Sequence, residues 1–207
     1  MNAKPIENKK VSVGKGAVYL IKQNPKEFVL NANSANTYLD LVKHAYEFDA
    51  KAGKLSFKNN LYLQRGPYDI VSVMDESVSN EPYKIKGPVI DLFDPNLPVL
   101  AEKVIKPGEQ ALLYNVLRIK DKTKPMVLAT ASRIYDEVRN GRSYSFICKS
   151  PAKTVNSIRV LLPAKPTKST VLNSSGEEIA EVNTSWDEPS NTLYLGFDNS
   201  PDGIKVN

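Results

Sequence analysis

The chain has 207 residues, enough for one large β-domain or two smaller ones, and its 41% hydrophobic and 25% charged residues are a globular composition that excludes wholesale disorder. The net charge of +5 comes from 28 Lys and Arg against 23 Asp and Glu, but the cations are dispersed and Lys9-Lys10 is the longest basic cluster, so a nucleic-acid partner is not expected. A single cysteine, Cys148, excludes an intrachain disulfide, a single histidine, His44, excludes a multi-histidine zinc site, and no apolar run is long enough to span a membrane.

Residues 1–10 are too polar for the apolar core of a secretory signal and read as a flexible N-terminal tail. Alternation of apolar and polar side chains predicts a strand at 17–22. Residues 34–46 then place Tyr38, Leu39, Leu41, Val42 and Ala45 at near-helical spacing behind Ser34 or Asn36, which predicts a helix over 36–43. Tyr46 and Phe48 fit equally the alternation of a strand entering a turn at Ala52-Gly53. Further strands are predicted at 54–57, 61–64, 68–74, 83–93, 111–116, 126–137 and 143–148, and Asn140-Gly141 between the last two predicts a tight hairpin. The remaining strands fall at 157–162, 192–197 and 204–206, with Gly and Pro punctuating the spaces between.

These short, evenly spaced strands predict an all-β antiparallel β-sandwich with at most one short helix. A shift in composition over 149–156 predicts a division there, into a large β-sandwich domain at 11–150 and a small C-terminal, immunoglobulin-like sandwich at 151–207 packed on it.

Little in the sequence has the form of catalytic or cofactor chemistry. Gly14-Lys15-Gly16-Ala17 lacks the spacing of a phosphate loop, and Gly141-Arg142-Ser143-Tyr144-Ser145 lacks the closing glycine of a nucleophile elbow. Cys148 shares one side of a strand with Tyr144 and Phe146 and reads as a buried thiol. No cofactor or metal is expected. Sugar binding asks for an aromatic face bordered by groups that hydrogen-bond hydroxyls, and the ingredients are present. Tyr62, Arg65 and Tyr68 flank the turn at Gly66-Pro67, and Asp75 and Glu76 end the following strand. Arg133, Tyr135 and Glu137 alternate on one side of a long strand, and Trp186 is either a further aromatic platform or a core anchor.

Two stretches carry a resemblance. The C-terminal run from Ser157-Ile-Arg-Val-Leu-Leu-Pro163 through Trp186-Asp-Glu188 and Thr192-Leu-Tyr-Leu-Gly-Phe197 to Ser200-Pro-Asp-Gly-Ile-Lys-Val206 resembles β-sandwich domains appended to glycoside hydrolases and related bacterial carbohydrate-active proteins. The run from Leu61 to Ser77, with Lys86-Gly-Pro-Val-Ile-Asp-Leu-Phe-Asp94 and Pro107-Gly-Glu-Gln110, is similar to a companion β-domain of such proteins. The resemblance implies a non-catalytic, sugar-binding or accessory role in polysaccharide utilisation, a glycan ligand, a catalytic domain or partner chain, and a periplasmic or extracellular location. Two alternatives stand beside it: a small glycosidase or lyase using an acidic pair such as Asp75 with Glu137, and a purely structural protein-interaction module.

Overall fold

Two asparagines open the helical part of the chain in the computed structural model, which describes residues 9–207. The Asn24 side chain accepts the Lys26 amide, with Pro25 at the first helical position, and starts α1 (Pro25–Leu30). Asn31 accepts the amides of Asn33 and Ser34 and starts α2 (Ala32–His44), which continues into a π-helical turn at Ala45–Asp49. The helix expected over 36–43 is therefore longer at both ends and preceded by a short second one. Asn31 supplies the cap in place of Ser34 or Asn36, and Tyr46 and Phe48 are helical.

Ahead of these helices, β1 (Lys9–Val13) and β2 (Gly16–Leu20) form an antiparallel hairpin about Gly14, whose positive φ of 58° suits glycine. On one face of this ribbon Tyr19 donates to Asp49, and the Lys10 ammonium lies 2.7 Å from the same carboxylate. Lys10 first and Tyr19 second hold the Asp49 carboxyl below its ordinary pKa. Of the tail expected at 1–10, residues 1–8 lie outside the described residues, while Lys9 and Lys10 belong to β1. Residues 54–57 alternate but pair with no strand among the described residues.

The chain divides into two compact units between Phe57 and Lys58. In the second unit, β3 (Asn60–Arg65), β4 (Tyr68–Val73), β5 (Tyr83–Asp91), β6 (Val99–Ile105) and β7 (Gln110–Asn115) make one antiparallel sheet in the order β3-β4-β7-β5-β6. Val71, Val73, Ile85, Val89, Ile105, Ala111 and Leu113 fill its inner face. Gly87 bulges β5 against β6, where a side chain would collide with the Leu100 carbonyl.

The sandwich proper follows. β8 (Met126–Thr130), β11 (Val155–Leu161), β13 (Asn183–Asp187) and β14 (Thr192–Asp198) form one sheet, in the order β13-β14-β11-β8. β9 (Arg133–Asn140), β10 (Ser143–Lys149), β12 (Val171–Leu172) and β15 (Ile204–Val206) form the other, in the order β12-β15-β10-β9. Phe146, Cys148, Ile158, Leu195, Phe197 and Ile204 are the heart of its core. The all-β sandwich architecture is thus present, with a different partition. The strand expected over 126–137 is two strands, because the chain changes sheets at Ala131-Ser132. The division expected at 149–156 falls inside the sandwich, where β8 and β11 pair directly.

The five-stranded sheet sits on the sandwich through a third apolar cluster, in which Ile90, Leu97, Tyr114 and Val116 meet Leu128 and Leu161. Arg159, almost fully buried on β11, crosses this junction and donates from Nε and Nη2 to the Leu97 carbonyl at 3.1 and 2.7 Å. Its guanidinium lies 5.2 Å from the centre of the Tyr194 ring, and burial lowers its pKa.

Candidate functional site

Strand parity decides which of the candidate side chains can meet. Tyr62 is opposite Val71 and so faces the interior of the five-stranded sheet, whereas Arg65 is opposite Tyr68 and both face outward. The three residues flanking Gly66-Pro67 are therefore split between two faces. Inside, the Tyr62 hydroxyl donates to Asp69 Oδ1 at 2.7 Å and accepts from Arg118 Nη2 at 2.9 Å. Asp69, fully buried, also accepts from Asn115 Nδ2 at 2.8 Å and pairs with Arg118 at 2.6 Å. Arg118 pulls the Tyr62 phenol pKa down, but burial and the Asp69 carboxylate outweigh it and the value rises. This network ties β3, β4, β7 and the 3-10 turn Val116–Arg118 together. A carboxylate at an inward position of an alternating strand was the one sequence signal that could have revealed it.

Tyr68 stands outside, edge-on to Tyr114 at 5.4 Å between ring centres, and lines a groove of about 600 Å³ between the five-stranded sheet and the sandwich. Asp94, Thr130, Ile134, Glu137 and Ser157 also line it. Glu137 is drawn there by a bulge. Asp136 takes a φ of +48°, and Asp136 and Glu137 together stand opposite Phe146, between the pairs Tyr135 with Ile147 and Val138 with Ser145. The extra residue turns Glu137 away from the face of Arg133 and Tyr135, so the expected one-sided row of three is broken. Glu137 accepts instead from Arg139 Nη2 at 2.7 Å and from the Tyr144 hydroxyl at 2.9 Å. Burial first and Glu137 second raise the Tyr144 pKa.

Arg133 and Tyr135 remain together on the outer face of the sheet β12-β15-β10-β9. Cross-strand pairing puts Arg133 beside Lys149, and Tyr135 in a row with Ile147 and Lys205. Tyr135, with its residue 41% exposed, forms one wall of the second groove, about 370 Å³, and Asp136, Lys149, Asn173, Asp202 and Lys205 furnish its polar lining. The Lys149 ammonium is 5.9 Å from the centre of the Tyr135 ring. Asn173 holds its end of the groove in shape by accepting the amides of Ser175 and Glu177. Gly203, at φ +104°, lets the floor stay open, since a side chain there would press on Ile147 and Lys149. Lys149, Asn173, Asp202 and Lys205 escape a reading of the sequence because only the register of four strands gathers them.

The remaining candidates are apart from both grooves. Asp75 and Glu76 are exposed after β4 and line neither, so the pair Asp75 with Glu137 shares no groove. Trp186 packs against the sandwich core and donates from Nε1 to Glu188 at 2.6 Å. Cys148 is buried and donates to the Ile204 carbonyl at 3.4 Å, and burial pushes its thiol pKa up to about 11. Among the described residues no group of three or more His, Cys, Asp or Glu is placed to hold a metal ion, and no helix is long and apolar enough to cross a membrane. No known family model, curated protein or solved structure matches the chain.

Proposed function

We propose that the protein is a non-catalytic, carbohydrate-binding or accessory component of bacterial polysaccharide utilisation, working in the periplasm or outside the cell, and that a glycan lies in the groove beside Tyr135. The observation that carries this reading is a half-exposed aromatic ring standing at the wall of a sheet-face groove that also holds Ile147, Leu172 and hydrogen-bonding groups of both polarities. A pyranose presents an apolar face that suits the Tyr135 ring and a rim of hydroxyls that suits Lys149, Lys205, Asp136, Asp202 and Arg133. A binding role is also supported by the larger groove, where Glu137 already has two donors on it and is engaged in holding β9 to β10.

A glycan-array screen followed by titration calorimetry tests this. Tyr135→Ala is expected to weaken a saturable hit about tenfold, the loss of one ring contact, with folding intact, while Tyr68→Ala leaves it unchanged. The reverse pattern would move the sugar to the larger groove. Absence of any hit would sink the sugar-binding reading, and sugar release lost in both Asp94→Asn and Glu137→Gln would replace it with a hydrolytic one.

A further inference from the structure

The first unit has the surface of a domain with one side removed. None of its described residues, 9–57, is buried, although they include Val11, Val13, Val18, Leu20, Val29, Leu30, Tyr46 and Phe48. Val13 is 58% exposed, Leu20 50% and Phe48 65%. Scattered exposed apolar residues are ordinary, but a segment of this length with no interior at all is not.

The exposed residues are organised. In the β1–β2 ribbon, Val11 is opposite Val18 and Lys9 opposite Leu20, so Val11, Val13, Val18 and Leu20 share one face, while Lys10 and Tyr19 hold the other face to Asp49. Among the described residues each strand of the ribbon pairs only with the other, which leaves two edges of backbone donors and acceptors open there. Residues 1–57 also hold nine lysines against five acidic residues, so this unit carries +4 of the chain's +5.

We infer that the β1–β2 hairpin is a docking element for a partner protein, which adds a strand to one open edge, covers the valine face and brings carboxylates to Lys9 on that face and Lys15 in the turn. This rests on the accessory half of the function proposed above and is independent of the groove at Tyr135. The three features together select the occupant. A lipid surface could take the apolar face and the lysines but offers no backbone groups to a strand edge. A second copy brings the same positive charge to the contact. A sheet edge on an acidic protein meets all three needs, by the strand-addition mode of recognition.

Hydrogen exchange of the full chain, read by mass spectrometry, tests the proposal with defined probes. A short peptide of alternating valine and glutamate is expected to slow exchange across Lys9–Val13 and Gly16–Leu20 by about tenfold, and its valine–lysine counterpart is not. Val11→Asp with Val18→Asp should abolish the effect while protection in 58–207 is unchanged, which separates lost docking from lost folding. Protection by both peptides or neither, by phosphatidylcholine vesicles containing phosphatidylserine, by raising protein concentration, or already present in the dilute chain alone, each overturns it. Glycan binding has a separate readout, so failure of either proposal leaves the other standing.

Discussion

Residues 9–57 and 58–207 use the same alternation of valine, leucine and tyrosine with polar side chains, and it has opposite results. In the second unit Val160 and Leu195 alternate out of one sheet, and Phe146 and Val206 out of the sheet facing it, into a shared core. In the first, Val11, Val13, Val18 and Leu20 alternate onto a face that none of the unit's described residues buries. Alternation therefore records which face of a strand is meant to be covered, and the covering surface has to come from elsewhere in the sequence or from another molecule.

The contrast can be broken most severely at Asp69. Asp69→Ala would leave the partly buried Arg118 without its carboxylate and the buried Asn115 and the Tyr62 hydroxyl without their acceptor, an expected loss of about 4 kcal/mol from the urea transition of 58–207. Leu195→Ala, a cavity in the middle of the sandwich, should cost about 3 kcal/mol in the same measurement.

A smaller effect is expected from pH. The Cys148 pKa is raised by burial from its ordinary 9.0 to about 11, so the folded state holds the thiol proton more tightly than the unfolded chain does. Stability from this group is complete below pH 9.0 and falls as pH rises towards 11, by roughly 2–3 kcal/mol at most. Cys148→Ser should remove that part of the pH dependence, and a thiol reagent at pH 8 should label the wild type only as fast as it unfolds. Smallest of all, Val18→Asp should shift the transition of 58–207 by under about 0.5 kcal/mol, since the side chain is already in water. A shift comparable with that of Leu195→Ala would show that the hairpin face is covered and erase the contrast.

Much of the fold was legible because the second unit obeys simple rules. β4 alternates exposed with buried residues, β10 sets Tyr144, Phe146 and Cys148 on one side, β7 and β14 are short apolar-rich runs, and Asn140-Gly141 makes its hairpin with Gly141 at a φ of 56°. The missed elements break those rules. β6 carries Glu102-Lys103 in mid-strand, β12 is two residues long, and β13 is nearly all polar apart from Trp186. The crossing between sheets at Ala131-Ser132 has no glycine or proline to mark it.

The site was legible residue by residue and illegible as a set. Tyr135 was recognisable as an exposed ring, but the non-glycine bulge at Asp136 sends Glu137 to the other face. Tyr62 and Tyr68, six residues apart, are separated by the parity of a hairpin whose register the sequence does not state. Lys149 reaches Tyr135 through the β9–β10 register, and Lys205 becomes its neighbour only when β15 adds beside β10.

Arg159 has a mechanical consequence. To swing the five-stranded sheet against the sandwich, both hydrogen bonds from the buried guanidinium to the Leu97 carbonyl would have to break, leaving it without an acceptor over the Tyr194 ring of its own sheet. Tension applied at either end of residues 58–207 is therefore carried across this joint as across a rivet.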